Sequence, residues 1–444
     1  MAASNPSIYE KFTIESADGS KSVDIAQGVI NFTYYENLFS PTLTARAIVV
    51  NTGNTVKGDD GKLKSLYNGL PLRGGERVVI KISGNSAVNQ GLDFSETPEK
   101  YFHVSSITNV MVDSGREILT LNLVSREALT NETSRVGKKF PSSQKISDSV
   151  KDIIKKYLST EKINEIDETQ NPYGFIGNMK KPYTILTWLA SKSIAYLGDG
   201  EDSTAGFLFY ETSKGLNFKS IDNLINQKPF KENYVYNPGI INKDDPKKDF
   251  SILQYNIDKN QDLISKLERG AYSSMRYYIN PVTFGLSPDI VFNSKKYINK
   301  TSNLGSKSIT LPRINDDSEL TLGDLPSRIF VSMLDVGTVE KDASEDGWND
   351  PAKRNADPAK IHAQSMMRYN QLHTQVVDIT VPLNSTLNAG SIIRCEFPSL
   401  ETAKRKEADP DTSGLYMIKE LAHYFDSQGS YTKLKLVRDS FGRK

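Results

Sequence analysis

Cysteine is nearly absent from this chain of 444 residues: Cys395 is the only one. That excludes an intrachain disulfide and any cysteine-rich metal centre. Cys395 lies in the alternating run SIIRCEFP, where a small buried strand residue is the simplest reading. Charge of one sign is also missing. Lys plus Arg is 55 and Asp plus Glu is 54, so no net basic surface recommends nucleic acid or an anionic membrane as the main partner. Apolar runs stay short of the roughly 18 residues that a membrane helix needs. The opening MAASNPSIYEKF lacks a basic stretch followed by an apolar one, so no secretion signal is predicted. Histidine is scarce, with four residues, and tryptophan scarcer, with two.

What is present is strand pattern. INFTYYENLF, LTARAIVVN, RVVIKISG, YFHVSSITNVMV and EILTLNLVS are rich in β-branched and aromatic residues. Leu119, Leu121 and Leu123 alternate with polar neighbours, as in a half-buried strand. Gly74-Gly75 and Asp113-Ser114-Gly115 supply turns. The period then changes. Ile146, Val150, Ile153, Ile154, Tyr157 and Leu158 recur at helical spacing and predict a helix over about 143–158. A second helix is predicted over 182–197, with Pro182 at its start and Gly198 past its end, and Leu186, Leu189, Ala190, Ile194 and Leu197 on its apolar face. A hairpin over 206–221 turns at Ser213-Lys214-Gly215. Residues 286–373 read as an insertion ending in a helix that starts at Asp357-Pro358 and shows Ile361, Tyr369 and Leu372 on one face. TQVVDITV, SIIRCEFP, LYMIKELAHYF and YTKLKLVRD restore the strand pattern at the end.

The two strand-rich parts resemble each other. Leu72–Ile82 matches Leu387–Phe397, Phe102–Gly115 matches Tyr416–Gly429, and Leu119–Glu127 matches Thr432–Asp439, all in the same order. A fainter match joins Leu43–Asn51 to Tyr272–Asn280. The expected fold is α+β and β-dominated, with two antiparallel β-barrels and an inserted α+β region. The first barrel takes 1–128 and the α+β domain 129–248. The second barrel is split into 249–285 and 374–444 by the insertion at 286–373.

Chemical motifs are few. His103, His362, His373 and His423 show no metal-ligand spacing. His362 and His373, eleven residues apart on one expected helix, are about three turns from each other. Asp409, Asp411, Ser413, Gly414 and Glu420 fit the EF-hand loop expression. The following run reads as a strand and Pro410 interrupts the loop, so a solvated turn is the preferred reading. No phosphate loop, dinucleotide fingerprint or nucleophile elbow appears. No catalytic, cofactor-binding or metal residue is therefore assigned, and no cofactor is expected.

Four segments carry a resemblance: NETSRVGKKFPSSQKISDSVKDIIKKYL, GFLFYETSKGLNFKSIDNLI, DLISKLERGAYSS and SGLYMIKELAHYFDSQGSYTKLKLVRDSFG. The most distinctive parts are Tyr210-Glu211-Thr212 and Leu436-Val437-Arg438-Asp439. In these the chain resembles the baseplate central hub proteins of T-even-like contractile-tailed bacteriophages, relatives of the hub half of type VI secretion spikes. The resemblance implies tail-tube-like barrels and a structural homotrimer rather than an enzyme. That trimer adapts a six-fold tail tube to a three-fold central spike and lines the channel for DNA. Implied partners are the spike, tube or tube-initiator proteins and baseplate wedge proteins, with no specific nucleic-acid binding and no membrane insertion. The implied location is the virion tail baseplate, after synthesis in the host cytoplasm. The competing readings are a cell-wall hydrolase of the tail, a hub from another contractile injection particle, and a receptor-binding adhesin.

Overall fold

The computed structural model describes residues 3–52, 54–58, 61–70, 72–113, 115–196, 203–236, 247–281, 284–287, 289–298, 302–335, 355, 361–399 and 408–443. The first part is built of β1 (Tyr9–Glu15), β2 (Ser22–Asp24), β3 (Val29–Asn37), β4 (Thr44–Asn51), the short β5 (Val56–Lys57) and β6 (Leu63–Lys64), α1 (Leu66–Gly69), β7 (Arg77–Ser83), β8 (Gly91–Asp93), β9 (Phe102–Asp113) and β10 (Arg116–Ser125). Strand neighbours run β3-β4-β10-β9-β7-β1-β2, and β2 leads through residues 25–28 into β3. Leu119, Leu121 and Leu123 are buried in the core, as their alternation predicts.

The middle part holds α2 (Arg126–Thr133), β11 (Lys139–Phe140), α3 (Ile146–Tyr157), β12 (Ile163–Ile166), β13 (Phe175–Ile176), α4 (Pro182–Ala190), the hairpin β14 (Phe207–Thr212) and β15 (Gly215–Ser220), and α5 (Ile221–Asn226). Ile146, Val150, Ile153, Ile154 and Leu158 are buried together with Leu186 and Leu189 of α4. The second helix is shorter than its pattern predicts. Ser191 and Ser193 donate to the carbonyls of Trp188 and Leu189 and close the helix. Ile194 then pairs as extended chain with Ala205. Leu197 and Gly198 lie outside the described residues.

The last part contains β16 (Asn233–Tyr236), β17 (Ser251–Ile252), β18 (Gln254–Asn260), α6 (Leu263–Glu268), β19 (Ser273–Ile279), β20 (Ile290–Asn293), α7 (Lys295–Ile298), β21 (Ile329–Met333), α8 (Ile361–Gln371), β22 (Gln375–Pro382), β23 (Ile392–Glu396), β24 (Gly414–Asp426) and β25 (Ser430–Arg438). Here the neighbours run β18-β22-β25-β24-β23-β16-β17. The expected helix start at Asp357-Pro358 lies outside the described residues. α8 is buried on more than the one expected face, because Ala363 and Met367 pack on Phe292 while Ile361 joins the core of the middle part.

The internal repeat is visible in the pairing. β7, β9 and β10 neighbour one another as β23, β24 and β25 do. A bulge skips Ser105 between Leu123↔Val104 and Asn122↔Ser106, and another skips Lys419 between Leu436↔Ile418 and Lys435↔Glu420. These are equivalent positions in the matched segments, and a shared bulge is a structural signature that strand alternation alone does not produce. The fainter match is overturned. β10 pairs β4 where β25 pairs β22, so the counterpart of Leu43–Asn51 is the stretch at 375–382. β19 sits instead in a separate sheet between β20 and β21. β16 joins the large sheet through β23, and β19 pairs with β20 and β21.

One strand connects the two β regions. β24 is 13 residues long. One edge pairs β25 along most of its length. The other pairs β23 through residues 414–417 and then β3 through residues 420–426. The result is a single 15-stranded sheet.

Candidate functional site

The region with the most organised chemistry is the junction of these parts. Glu36 projects from β3 into a fully buried position. Its carboxylate accepts from Tyr34 Oη (2.6 Å), Ser213 N (2.8 Å), Asn388 Nδ2 (3.2 Å) and Ala389 N (2.7 Å). Burial raises its pKa, and the four donors oppose that shift. Glu211, on β14, accepts from Leu43 N (3.1 Å) and Ser125 Oγ (2.6 Å) and pairs with Lys162 Nζ at 2.8 Å. Burial disfavours the charge on Lys162, but the carboxylates of Glu211 and Glu127 outweigh it and hold the ammonium protonated. Glu127, on α2, is wholly buried, and neither of its oxygens accepts a hydrogen bond among the described residues.

A second polar rivet lies on α8. Arg368 Nη2 donates to Asp222 at 2.7 Å, and Nη1 lies 3.7 Å from Asp439. Asp222 also accepts from Thr204 N and Oγ1, and Asp439 accepts from Leu304 N. The middle part, α8, the insertion and the chain end are thus tied through two carboxylates. Both segments that distinguish the sequence therefore fall on polar ties: Glu211 at the junction, Asp439 at the rivet. Arg438 is buried, lies over the Tyr416 ring at 4.7 Å and donates to the carbonyls of Ser413 and Asp411.

The loop that fits the calcium expression lies against this arginine. Asp409 Oδ1 already accepts from Asp411 N (3.0 Å), Thr412 N (2.7 Å) and Thr412 Oγ1 (2.8 Å). Asp411 pairs with Lys307 at 2.9 Å, and Glu420 lies along β24 beside Lys419. The Arg438 guanidinium lies against the carbonyls of Asp411 and Ser413 in the same loop. Residues 410–412 form a turn that leads into β24. Among the described residues, no group of three or more His, Cys, Asp or Glu side chains is placed to hold a metal.

The histidines stand apart. His362 Nδ1 meets Arg276 Nη1 at 2.8 Å. His373 lies past the end of α8, with Nδ1 on Tyr369 O and its ring against Phe39. His103 is buried on β9. His423 is buried on β24, bonded to Thr432 Oγ1 at 2.8 Å and stacked on Tyr34, and burial pushes its pKa down to about 3. Cys395 is buried, and burial pushes its thiol pKa up, so the expected strand position holds. Sequence reasoning missed Glu36, Lys162, Asn388 and Arg368. They are far apart in the chain, and no spacing rule joins them.

Over the junction lies an open trough of about 650 Å³ across β3, β18, β22, β24 and β25. Tyr35, Asn37, Tyr424, Lys433, Thr380 and Asn256 line it, so its wall is polar and aromatic. Lys435 reaches Asp258 (3.3 Å) and Asp378 (3.8 Å), and Lys433 lies over the Tyr424 ring at 4.9 Å. This wall is the outward face of strands whose other face fills the core.

No protein-family model and no curated protein matches the sequence. Solved structures do match the fold. The tail protein from Neisseria meningitidis MC58 aligns with a TM-score of 0.55 at 10% identity, covering 97% of this chain and 96% of that one. The 43 kDa tail protein of prophage MuSo2 from Shewanella oneidensis aligns with a TM-score of 0.51 at 10% identity, covering 98% of this chain and 100% of that one. At such identity the likeness concerns architecture, and it runs end to end. The protein shares its overall fold with these two tail proteins.

Proposed function

We propose that this protein is a non-enzymatic structural subunit of a contractile tail baseplate. Three copies would form a ring with pseudo-six-fold symmetry, joining a six-fold tube to a three-fold spike, inside the virion tail. The observation that carries this reading is the passage of one sheet through two equivalent strand sets by way of β24. Two related units per chain give six per trimer, and β24 fixes their relative placement.

Each unit is read as a tube-like barrel. What supports this is the ladder path, which in each region starts and ends on one stretch of chain. In the first, the path ends on β2 and β3, joined through residues 25–28; in the second, it ends on β17 and β18, adjacent in sequence. Paired strands satisfy backbone groups and leave few edges. The trough over β3, β24 and β25 is read as channel wall. Its two lysines, Lys433 and Lys435, share the wall with the carboxylates Asp378 and Glu420, so passing DNA would find no excess positive charge to bind. Spike, tube and wedge proteins are the partners this reading calls for.

Electron microscopy of the purified protein, alone and with a candidate spike, tests the reading. A ring of six lobes and a trimeric mass by light scattering are expected. A monomer under both conditions, or release of fragments from purified cell walls, would overturn it.

A further inference from the structure

Several exposed apolar side chains stand together on one small sheet. β20, β19 and β21 form a three-stranded sheet with two unlike faces. On the inner face Phe292 packs on α8, and Arg276 stacks on Phe330 at 4.5 Å. The outer face carries Val291, Ile279, Ile329, Val331 and Met333, between 36% and 75% exposed. Pairing sets them side by side: Met275 stands opposite both Val291 and Ile329, Tyr277 opposite Val331, and Ile279 opposite Met333. Leu286 bridges back to Ile279, and Phe284 beside it is 85% exposed. The open apolar area is on the order of 600 Å², the upper end for a monomer's largest patch. That is most of the roughly 800 Å² per partner that a stable interface buries. Among the described residues, β21 pairs only with β19. An edge strand carrying three exposed apolar side chains invites unwanted pairing unless something covers it.

A second apolar patch differs in shape. At the far end of the β9–β10 hairpin, Val110, Met111 and Val112 are exposed in succession, and Ile118 stands opposite Met111. Apolar side chains thus stand on both faces of this two-stranded ribbon, next to the Arg116–Asp113 pair at its end.

We propose that the tip of the β9–β10 hairpin of one copy covers the open face of the β20–β19–β21 sheet of the next copy. A ring made from one kind of chain needs two different, complementary patches on each chain. Here one patch is a projecting ribbon and the other a flat sheet, both apolar. The proposal rests on the hub reading only for the number of copies; it adds the surface through which they meet.

Paired cysteines test it in the full chain. The native Cys395 is buried and does not compete. Val112→Cys with Val331→Cys in one chain should give, on mild oxidation, a ladder ending at a closed trimer. An equal mixture of the two single variants should stop at a cross-linked dimer. Val331→Cys alone linking to itself would mean that two sheet faces meet each other, and would overturn the proposal. Rings in the microscope without any 112–331 link would overturn this contact and leave the hub reading standing. Neither rings nor links would overturn both. Val331→Asp provides a check free of oxidation: the residue is exposed, so the circular dichroism melt should stay near that of the wild type while the mass by light scattering falls.

Discussion

At the turn before β7, Gly75 N donates to Val104 O at 2.7 Å; at the turn before β23, Gly390 N donates to Ile418 O at 2.8 Å. The next contact is repeated too: Val104 N to Glu76 O and Ile418 N to Ser391 O, both at 2.9 Å. The carboxylate at each turn is what differs. In the first region Glu76, from the turn itself, accepts from Arg73 N and Gly74 N. In the second that position is Ser391, and the amide equivalent to Gly74, that of Ala389, is taken by Glu36 from β3 of the first region. The first turn is self-sufficient; the second is completed by its neighbour. Duplicated units become one body when a local contact is replaced by a shared one, and here the shared carboxylate also holds the β14–β15 turn through Ser213.

The core should be the least forgiving part of this comparison. Leu123 and Leu436 are equivalent, buried, and beside the shared bulge. Leu121 and Leu434 repeat the equivalence two pairs further along. An aspartate at any of these sites costs several kcal/mol, against a typical domain stability of about 5–15 kcal/mol. Leu121→Asp, Leu123→Asp and Leu436→Asp should each abolish soluble expression. A wild-type melt for Leu436→Asp alone would show that the second region is not packed as the first is.

The borrowed carboxylate gives the next largest effect. Glu36→Ala removes the acceptor of four donors from three parts of the chain, three of them buried, at about 1–3 kcal/mol for each buried one left unsatisfied. Glu76→Ala strands two amides of one turn, so a smaller loss is expected. Urea denaturation should rank Glu36→Ala well below Glu76→Ala. Equal losses would mean that the junction is no more than another turn.

His423 makes the comparison depend on pH. In the matched segments its counterpart is Asn109, which does not titrate. Above pH 6.5 the histidine is neutral in both folded and unfolded states. Between pH 6.5 and about 3 only the unfolded chain takes the proton, so stability falls as pH falls. At pH 4 the loss is about 3 kcal/mol. His423→Asn should flatten melting temperature against pH over that window. A shallower slope should remain, because burial and Arg77 also lower the pKa of His103 in the first region. An unchanged slope in His423→Asn would assign the acid sensitivity elsewhere.

Much of this architecture is legible in the amino-acid order alone. The matched turns and strands reveal the repeat because each carries a glycine or an alternating leucine with a fixed structural duty, such as the buried set at Leu119, Leu121 and Leu123. The link from Leu43–Asn51 to Tyr272–Asn280 fails because both are ordinary amphipathic strands, and alternation alone does not say which sheet a strand joins. β16 escapes notice because it is four residues long and pairs parallel to β23, so neither length nor a hairpin turn announces it. The junction is hidden for another reason. Glu36 and Ala389 are 353 residues apart, and only the β3–β24 pairing brings them together.

The smallest effect separates the two turns themselves. Gly75 has φ +89° and Gly390 φ +86°, a backbone region where a side chain is strained. Alanine at either site should cost about 1–2 kcal/mol for the conformation alone. Their surroundings differ. A Cβ on Gly75 would meet nothing within 4 Å, whereas one on Gly390 would come within 2.8 Å of Tyr210 Oη and 3.3 Å of Leu224. Tyr210 and Leu224 belong to the middle part, which covers the second turn and leaves the first open. Gly390→Ala therefore carries the backbone strain plus displacement of the Tyr210 ring end, and Gly75→Ala the strain only. Thermal denaturation should show a modest loss for Gly75→Ala and a larger one for Gly390→Ala. The double variant Gly390→Ala with Tyr210→Phe removes the crowding hydroxyl and should recover part of that excess. If Gly75→Ala proved the more damaging, the first turn would have to be covered as well, and the contrast between an independent unit and a borrowed one would fail.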